Sequence, residues 1–220
     1  MPGKFKSIFL PKINRVVKYF IIGDLLLWAG WGFIDPLFSV FVIKNIAGAT
    51  LASVGYLAAI FWITRCIVQI PISLYLDKVR GEKDDFYALV VGLLITGFAA
   101  FSFMTVKTMA QVYFIQFIKA IGFALYIPSW SAIFTRHIDG RHAAFEWAVS
   151  SSSVSFGIGV AGLFGGLVAS LAGFNVVFLI TGLLAILSAN VLLFVPNLIL
   201  PRTSKINPNK IGDHIRAGLK

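Results

Sequence analysis

The chain has 220 residues, 58% of them hydrophobic and only 13% charged, with a mean hydropathy of +0.88; about half apolar is already typical of a soluble domain, so the surplus must face something other than water. The formal net charge of +10 does not point to nucleic acid, because the basic residues cluster between and beyond apolar stretches, the pattern that orients membrane helices. A single cysteine, Cys66, excludes an internal disulfide and offers no metal-ligand or nucleophile signature.

A helix that crosses a bilayer needs about 20 mostly apolar residues. Six stretches qualify, at 17–43, 51–76, 86–106, 109–134, 144–171 and 176–194. The first is too long for a signal-peptide core and lacks a small-residue cleavage site, so it reads as a membrane helix. Several stretches exceed the minimum, which implies tilt or extension past the bilayer. The short connections at 44–50, 77–85, 107–108, 135–143 and 172–175 make consecutive helices antiparallel. The expected architecture is an all-α, six-helix membrane bundle over residues 1–200, with a basic tail over 201–220. In that tail Ile211, Ile215 and Leu219 recur every four residues between charges. This spacing suits a short amphipathic helix on the membrane surface, and an irregular end suits it equally.

Fifteen lysines and arginines fall at one side of such a bundle: Lys4, Lys6, Lys12, Arg15 and Lys18; Lys78, Arg80 and Lys83; Arg136 and Arg141; and Arg202, Lys205, Lys210, Arg216 and Lys220. Only Lys44 and Lys107 stand opposite. Positive residues stay cytoplasmic, so both termini are expected inside the cell membrane, and an odd number of spans would separate the two basic ends.

Two stretches carry a recognisable pattern. The connection SLYLDKVRGEK at 73–83 links the second and third spans through Asp77, Lys78, Arg80 and Gly81. In the fifth span, GIGVAGLFGG at 157–166 contains Gly157, Ala161, Gly162, Gly165 and Gly166. Gly157, Ala161, Gly165 and Ala169 recur every four residues and flatten one helix face, which permits the close backbone approach that packing within lipid depends on. The connection resembles the G-x-x-x-D-(R/K)-x-G-R-(R/K) signature of the major facilitator superfamily. Asp77 and Lys78 match, Arg80, Gly81 and Lys83 match in kind, and Ser73 replaces the leading glycine. The fifth span is similar to the family's G-x-x-x-G-P-x-x-G-G motif, with Ala161 and Gly162 where glycine and proline are usual. WAGWGFIDPLF at 28–38 resembles the family's first helix, and Gly173, Phe174, Asn175 and Phe178 its fifth-to-sixth turn. The fourth helix departs from the pattern: Ile118 stands where arginine is usual, with Lys119 adjacent.

The resemblance covers essentially the whole chain, as the amino-terminal half of a twelve-helix transporter. It implies two inverted three-helix repeats, although no internal sequence repeat is visible. It further implies secondary transport of a small molecule by alternating access, with a second six-helix half or a second copy as partner. The fifth-helix motif leans toward proton-coupled export of amphipathic compounds. A non-transporting interaction protein or an inactive half-transporter is the alternative. No cofactor, metal or nucleic acid is expected. With no nucleophile–base pair or phosphate-binding loop, and with His137, His142 and His214 in polar segments, an enzyme is not expected either.

Ionisable groups in hydrocarbon cost several kcal/mol and face a cavity or a partner. Asp24, Asp35, Arg65 and Lys119 are the candidates for substrate binding or proton coupling. At about 1.5 Å per residue, Asp35 and Lys119 each lie about 24 Å from the helix ends at Tyr19 and Thr135, so they share a level. In the resembled fold both helices line the central cavity, so the two can meet there, as a pair that substrate or a proton opens or as a static packing pair. Arg65 lies about 16 Å from Leu76. Asp24, about one turn in, can snorkel to water or pair with Arg65, and a purely structural role suits both residues equally. The resemblance gives Asp77 a gating contact with the opposite half, at a helix amino terminus. Arg136, Arg141 and Glu146 either join Asp77 and Arg80 in a charge network or remain solvated. Trp28, Trp31, Trp62 and Trp130 either line an apolar cavity or pack the core, and the hydroxyls of Ser150–Ser153 can bond back to helix carbonyls.

Overall fold

A computed structural model describes residues 12–78 and 82–194. Arg80, Gly81 and the tail with its expected surface helix lie outside the described residues. The described elements are α1 (Arg15–Ile34), a 3-10 turn (Asp35–Leu37), α2 (Phe38–Asn45), α3 (Leu51–Lys78), α4 (Lys83–Ser102), α5 (Met109–His137), α6 (Ala143–Ala172) and α7 (Phe174–Leu193). They make six spans long and apolar enough to cross a membrane, because α1, the turn and α2 form one, Arg15–Asn45.

Local chemistry sets the boundaries. Pro36 has no N–H and its ring crowds the preceding turn, so the first span tightens to 3-10 geometry at Asp35–Leu37. At the start of α1, Asn14 caps through its side-chain oxygen, which accepts the Val16 N–H at 3.2 Å. The third span ends at Ser102, short of the apolar stretch that runs to 106. There the Met104 and Thr105 N–H groups turn back to the carbonyls of Phe101 and Ser102, and a capping box between Thr108 and Gln111 starts α5. A single residue, Gly173, separates α6 from α7 with φ of 84°, a backbone region open to glycine because it has no Cβ.

The helices pack in one order: α3 on α5, α5 on α4, α4 on α7, α7 on α1, and α1 on α6. That order maps onto itself when α1 exchanges with α5, α3 with α6, and α4 with α7. The first three spans and the last three therefore form equivalent units. They start at opposite ends of the bundle, which is the inverted arrangement that left no visible trace in the sequence. At the flanks of this order, α3 and α6 stay open. Only 11% of the most apolar stretch of each is buried, against 56% in α4.

Between these flanks the bundle is closely packed. Trp31, Tyr126, Phe20, Phe103, Phe123, Phe134 and Phe178 are fully buried. Two hydroxyls on α7 cross to carbonyls of α1: Thr181 Oγ1 donates to Gly30 at 2.8 Å and Ser188 Oγ to Gly23 at 2.7 Å. Such bonds hold helices together where water offers no hydrophobic drive. On α6, Gly157, Ala161 and Gly165 are buried on the side facing α1. A Cβ on Gly157 would strike the Leu25 side chain, and one on Gly165 would strike the Phe33 carbonyl. Gly162 is looser, 3.7 Å from the Gly32 oxygen and Pro36, and Gly166 meets nothing.

Candidate functional site

The break in the first span places Asp35 where its carboxylate clears the helix. Lys119, on α5, meets it there, with Nζ 3.4 Å from Asp35 Oδ1. The ammonium also lies 3.5 Å from the centre of the Trp31 ring and 5.2 Å from that of Phe61, distances at which an aromatic face stabilises a cation. Asp35 and Lys119 line a cavity of about 290 Å³ between α1, α2, α3 and α5, walled by Trp28, Phe38, Phe61, Trp62 and Phe123. Gln116, on the same wall, donates from Nε2 to the Leu57 carbonyl at 3.4 Å. Its Oε1 has no hydrogen-bond partner among the described residues. Gln116 was not singled out from sequence; a polar residue three positions before Lys119 on one helix face was the available signal.

A second hollow, of about 280 Å³, continues toward the basic end of the bundle and shares Trp28 and Arg65 with the first. Asp24 is buried in its wall and accepts a hydrogen bond from Tyr126 Oη at 2.6 Å. Asp24 and Arg65 thus share a hollow without pairing. Arg65 Nε instead donates to Gln69 Oε1 at 3.1 Å, and its guanidinium carbon lies 5.1 Å from the Trp62 ring centre. The tryptophans divide between two roles. Trp28 and Trp62 line the first cavity, and Trp31 is core beneath Lys119. Trp130 lines the second hollow while its ring stacks 4.5 Å from that of Phe134. Ser153 Oγ bonds back to the Val149 carbonyl at 2.7 Å.

At the basic end the charges sort differently from the network expected around Asp77. Asp77 is exposed at the end of α3 and makes no ion pair among the described residues. Arg136 pairs with Asp85 and lies 3.9 Å from Glu82, while His137 Nε2 lies 3.7 Å from Glu82. His137 Nδ1 is 2.9 Å from the Ile133 carbonyl, which places a proton on Nδ1. Glu146 is buried and accepts the Asp139 N–H at 3.3 Å; the Arg141 N–H donates to Asp139 at 3.0 Å. Arg136 therefore turns to acids at the start of α4, because they sit at the amino terminus of the helix packed beside its own. Burial pushes the Glu82 carboxyl above its usual range, with His137 and Arg136 opposing. The Arg141 N–H and His142 hold Asp139 below its usual range. Glu82 and Asp85 were missed from sequence, although an acidic run opening a helix after a basic turn was the signal.

A family model described as Major Facilitator Superfamily matches residues 20–216. The chain is also similar to an uncharacterized MFS-type transporter of Methanocaldococcus jannaschii, with 24% identity over 178 residues that cover 81% of this chain. The match takes in 45% of that protein, so the chain spans about half the length of the curated relative it matches.

Proposed function

This chain belongs to the major facilitator superfamily, and from that premise we propose that it forms one six-helix half of a secondary transporter working by alternating access. A second six-helix unit, whether a further stretch of the same polypeptide, a separate half or another copy, completes the central cleft, with both termini of this half at the cytoplasmic face of the cell membrane. The observation that carries the proposal is the cavity holding Asp35, Lys119 and Arg65 among aromatic walls. An apolar wall with a few convergent polar groups is how a small-molecule site is built, and charges at membrane depth mark substrate or ion paths.

Its placement among α1, α2, α3 and α5, with α3 and α6 open at the flanks, leaves the site accessible to an opposing bundle. The match to less than half of the relative agrees with a second half of similar size. In this reading small amphipathic compounds leave the cell in exchange for protons, and protonation of Asp35 releases Lys119. Asp77, with Lys78, Arg80 and Gly81, gates the cytoplasmic side. The Gly157, Ala161 and Gly165 face lets α6 move closely against α1.

The test is reconstitution of the full-length protein in liposomes with a trapped pH dye. Addition of transported compounds should move protons in the wild type, and Asp35→Asn should abolish that movement while inserting normally. Unchanged pH dependence in the variant removes Asp35 from coupling. Absence of any solute-driven flux in either direction favours the non-transporting alternative.

A further inference from the structure

Among the described residues, Arg65 alone borders the hollow of Asp35 and Lys119, that of Asp24 and Tyr126, and a third of about 230 Å³ along the outer side of α3. Its guanidinium is permanently charged and presents five N–H donors in a rigid fork. Among the described residues, Nε alone is hydrogen-bonded, to the neutral side chain of Gln69. The carboxylates that share its hollows are committed elsewhere, Asp35 to Lys119 and Asp24 to Tyr126. An arginine at membrane depth with no carboxylate paired to it is costly until an anion arrives. The two terminal nitrogens of the fork match the two oxygens of a carboxylate. Lys119 is not the competing anion site: it is buried, already paired with Asp35, and covered by Trp31. The wall of the cavity that Arg65 shares is aromatic, with the Trp28 and Phe123 rings 5.4 Å apart and tilted by 41° and the Phe61 and Phe123 rings 5.6 Å apart and edge to face.

We infer that Arg65 is the anion-binding residue of the transport cavity, and that the solute is a small aromatic carboxylate. Its charged end sits on Arg65 and its ring lies among Trp28, Phe61 and Phe123. This narrows the substrate class of the transporter reading and rests on it for the claim that the cavity takes a solute.

Calorimetry on the full-length protein in nanodiscs tests it with three probes of one shape: 1-naphthoate, 1-naphthamide and 1-naphthylmethylammonium. A hydrogen-bonded charge pair predicts that the carboxylate binds about tenfold to a hundredfold more tightly than the amide. Arg65→Gln should erase that preference, with amide affinity falling far less than carboxylate affinity, and Arg65→Lys should restore part of it; melting curves of both variants establish that they fold. Equal binding of the amide or the cation, no binding of the carboxylate, or an equal loss for carboxylate and amide in Arg65→Gln overturns the inference. Binding needs no gradient, so the two readings fail separately. Arg65-dependent carboxylate binding without flux defeats only transport, and flux without charge preference defeats only the anion site.

Discussion

Lys119 and Asp35 form an ion pair whose members have unequal access: the lysine side chain is 8% exposed and the aspartate 51%. The cation is locked between aromatic rings and the anion opens to the cavity, so the pair is opened from the carboxylate side. Removing one partner of a buried pair leaves an uncompensated charge; loss of Asp35 strands the buried ammonium, whereas loss of Lys119 leaves a half-exposed carboxylate that stays solvated. Asp35→Asn should therefore destabilise the protein by about 1–2 kcal/mol, below the fully buried case because Asp35 is half exposed. Lys119→Met should melt within about 1 kcal/mol of wild type while losing transport. Thermal unfolding of the two purified variants checks the order; the reverse order would mean that burial of Lys119 is not what makes the pair matter.

Tyr126 and Asp24 hold a second polar contact between α1 and α5. With Asp24 only 7% exposed, Tyr126→Phe strips a donor from a buried carboxyl and should cost about 1–3 kcal/mol. Combined with Asp24→Asn, the losses should be less than additive, since both changes remove one interaction. A double-mutant cycle on melting temperature measures the coupling, and strict additivity would show that the bond contributes nothing.

Adjacent glycines of α6 should behave differently. Gly165→Ala drives a methyl into the Phe33 carbonyl and should cost about 1–3 kcal/mol through overpacking. Gly166→Ala enters open space and should stay within about 0.5 kcal/mol of wild type. Two similar melting curves would argue against the close α1–α6 approach.

Two acids at the basic end should give opposite pH signatures. Glu82 has a folded-state pKa raised above its ordinary 4.5 by burial, so the folded state holds its proton more readily than the unfolded state. Its stability contribution is full below 4.5 and is lost as pH rises through the folded value. Glu82→Gln should thus raise the melting temperature at pH 7, with the gain shrinking as pH falls through the raised folded value and gone below 4.5. Asp139 has a folded-state pKa below its ordinary 3.8, so its contribution is present above 3.8 and is lost as pH falls through the folded value. Asp139→Asn should lower the melting temperature at pH 7 and converge with wild type in acid. Melting curves from pH 3 to 8, a range of about one unit beyond these values on the acid side, check both signs.

The all-α, six-span character was determined by the sequence alone, because apolar length and the chemistry of short connections are local properties. The common level of Asp35 and Lys119 was legible for the same reason, since the rise per residue is fixed. Tertiary structure decided partnerships. Asp24 took Tyr126 instead of Arg65, and Arg136 took Asp85 and Glu82 instead of Asp77. Depth along a helix does not say which way a side chain points or which helix stands beside it. The exchange symmetry of the six spans was hidden for a related reason: many combinations of apolar and small residues satisfy the same helix contacts, so the packing repeats where the residues do not.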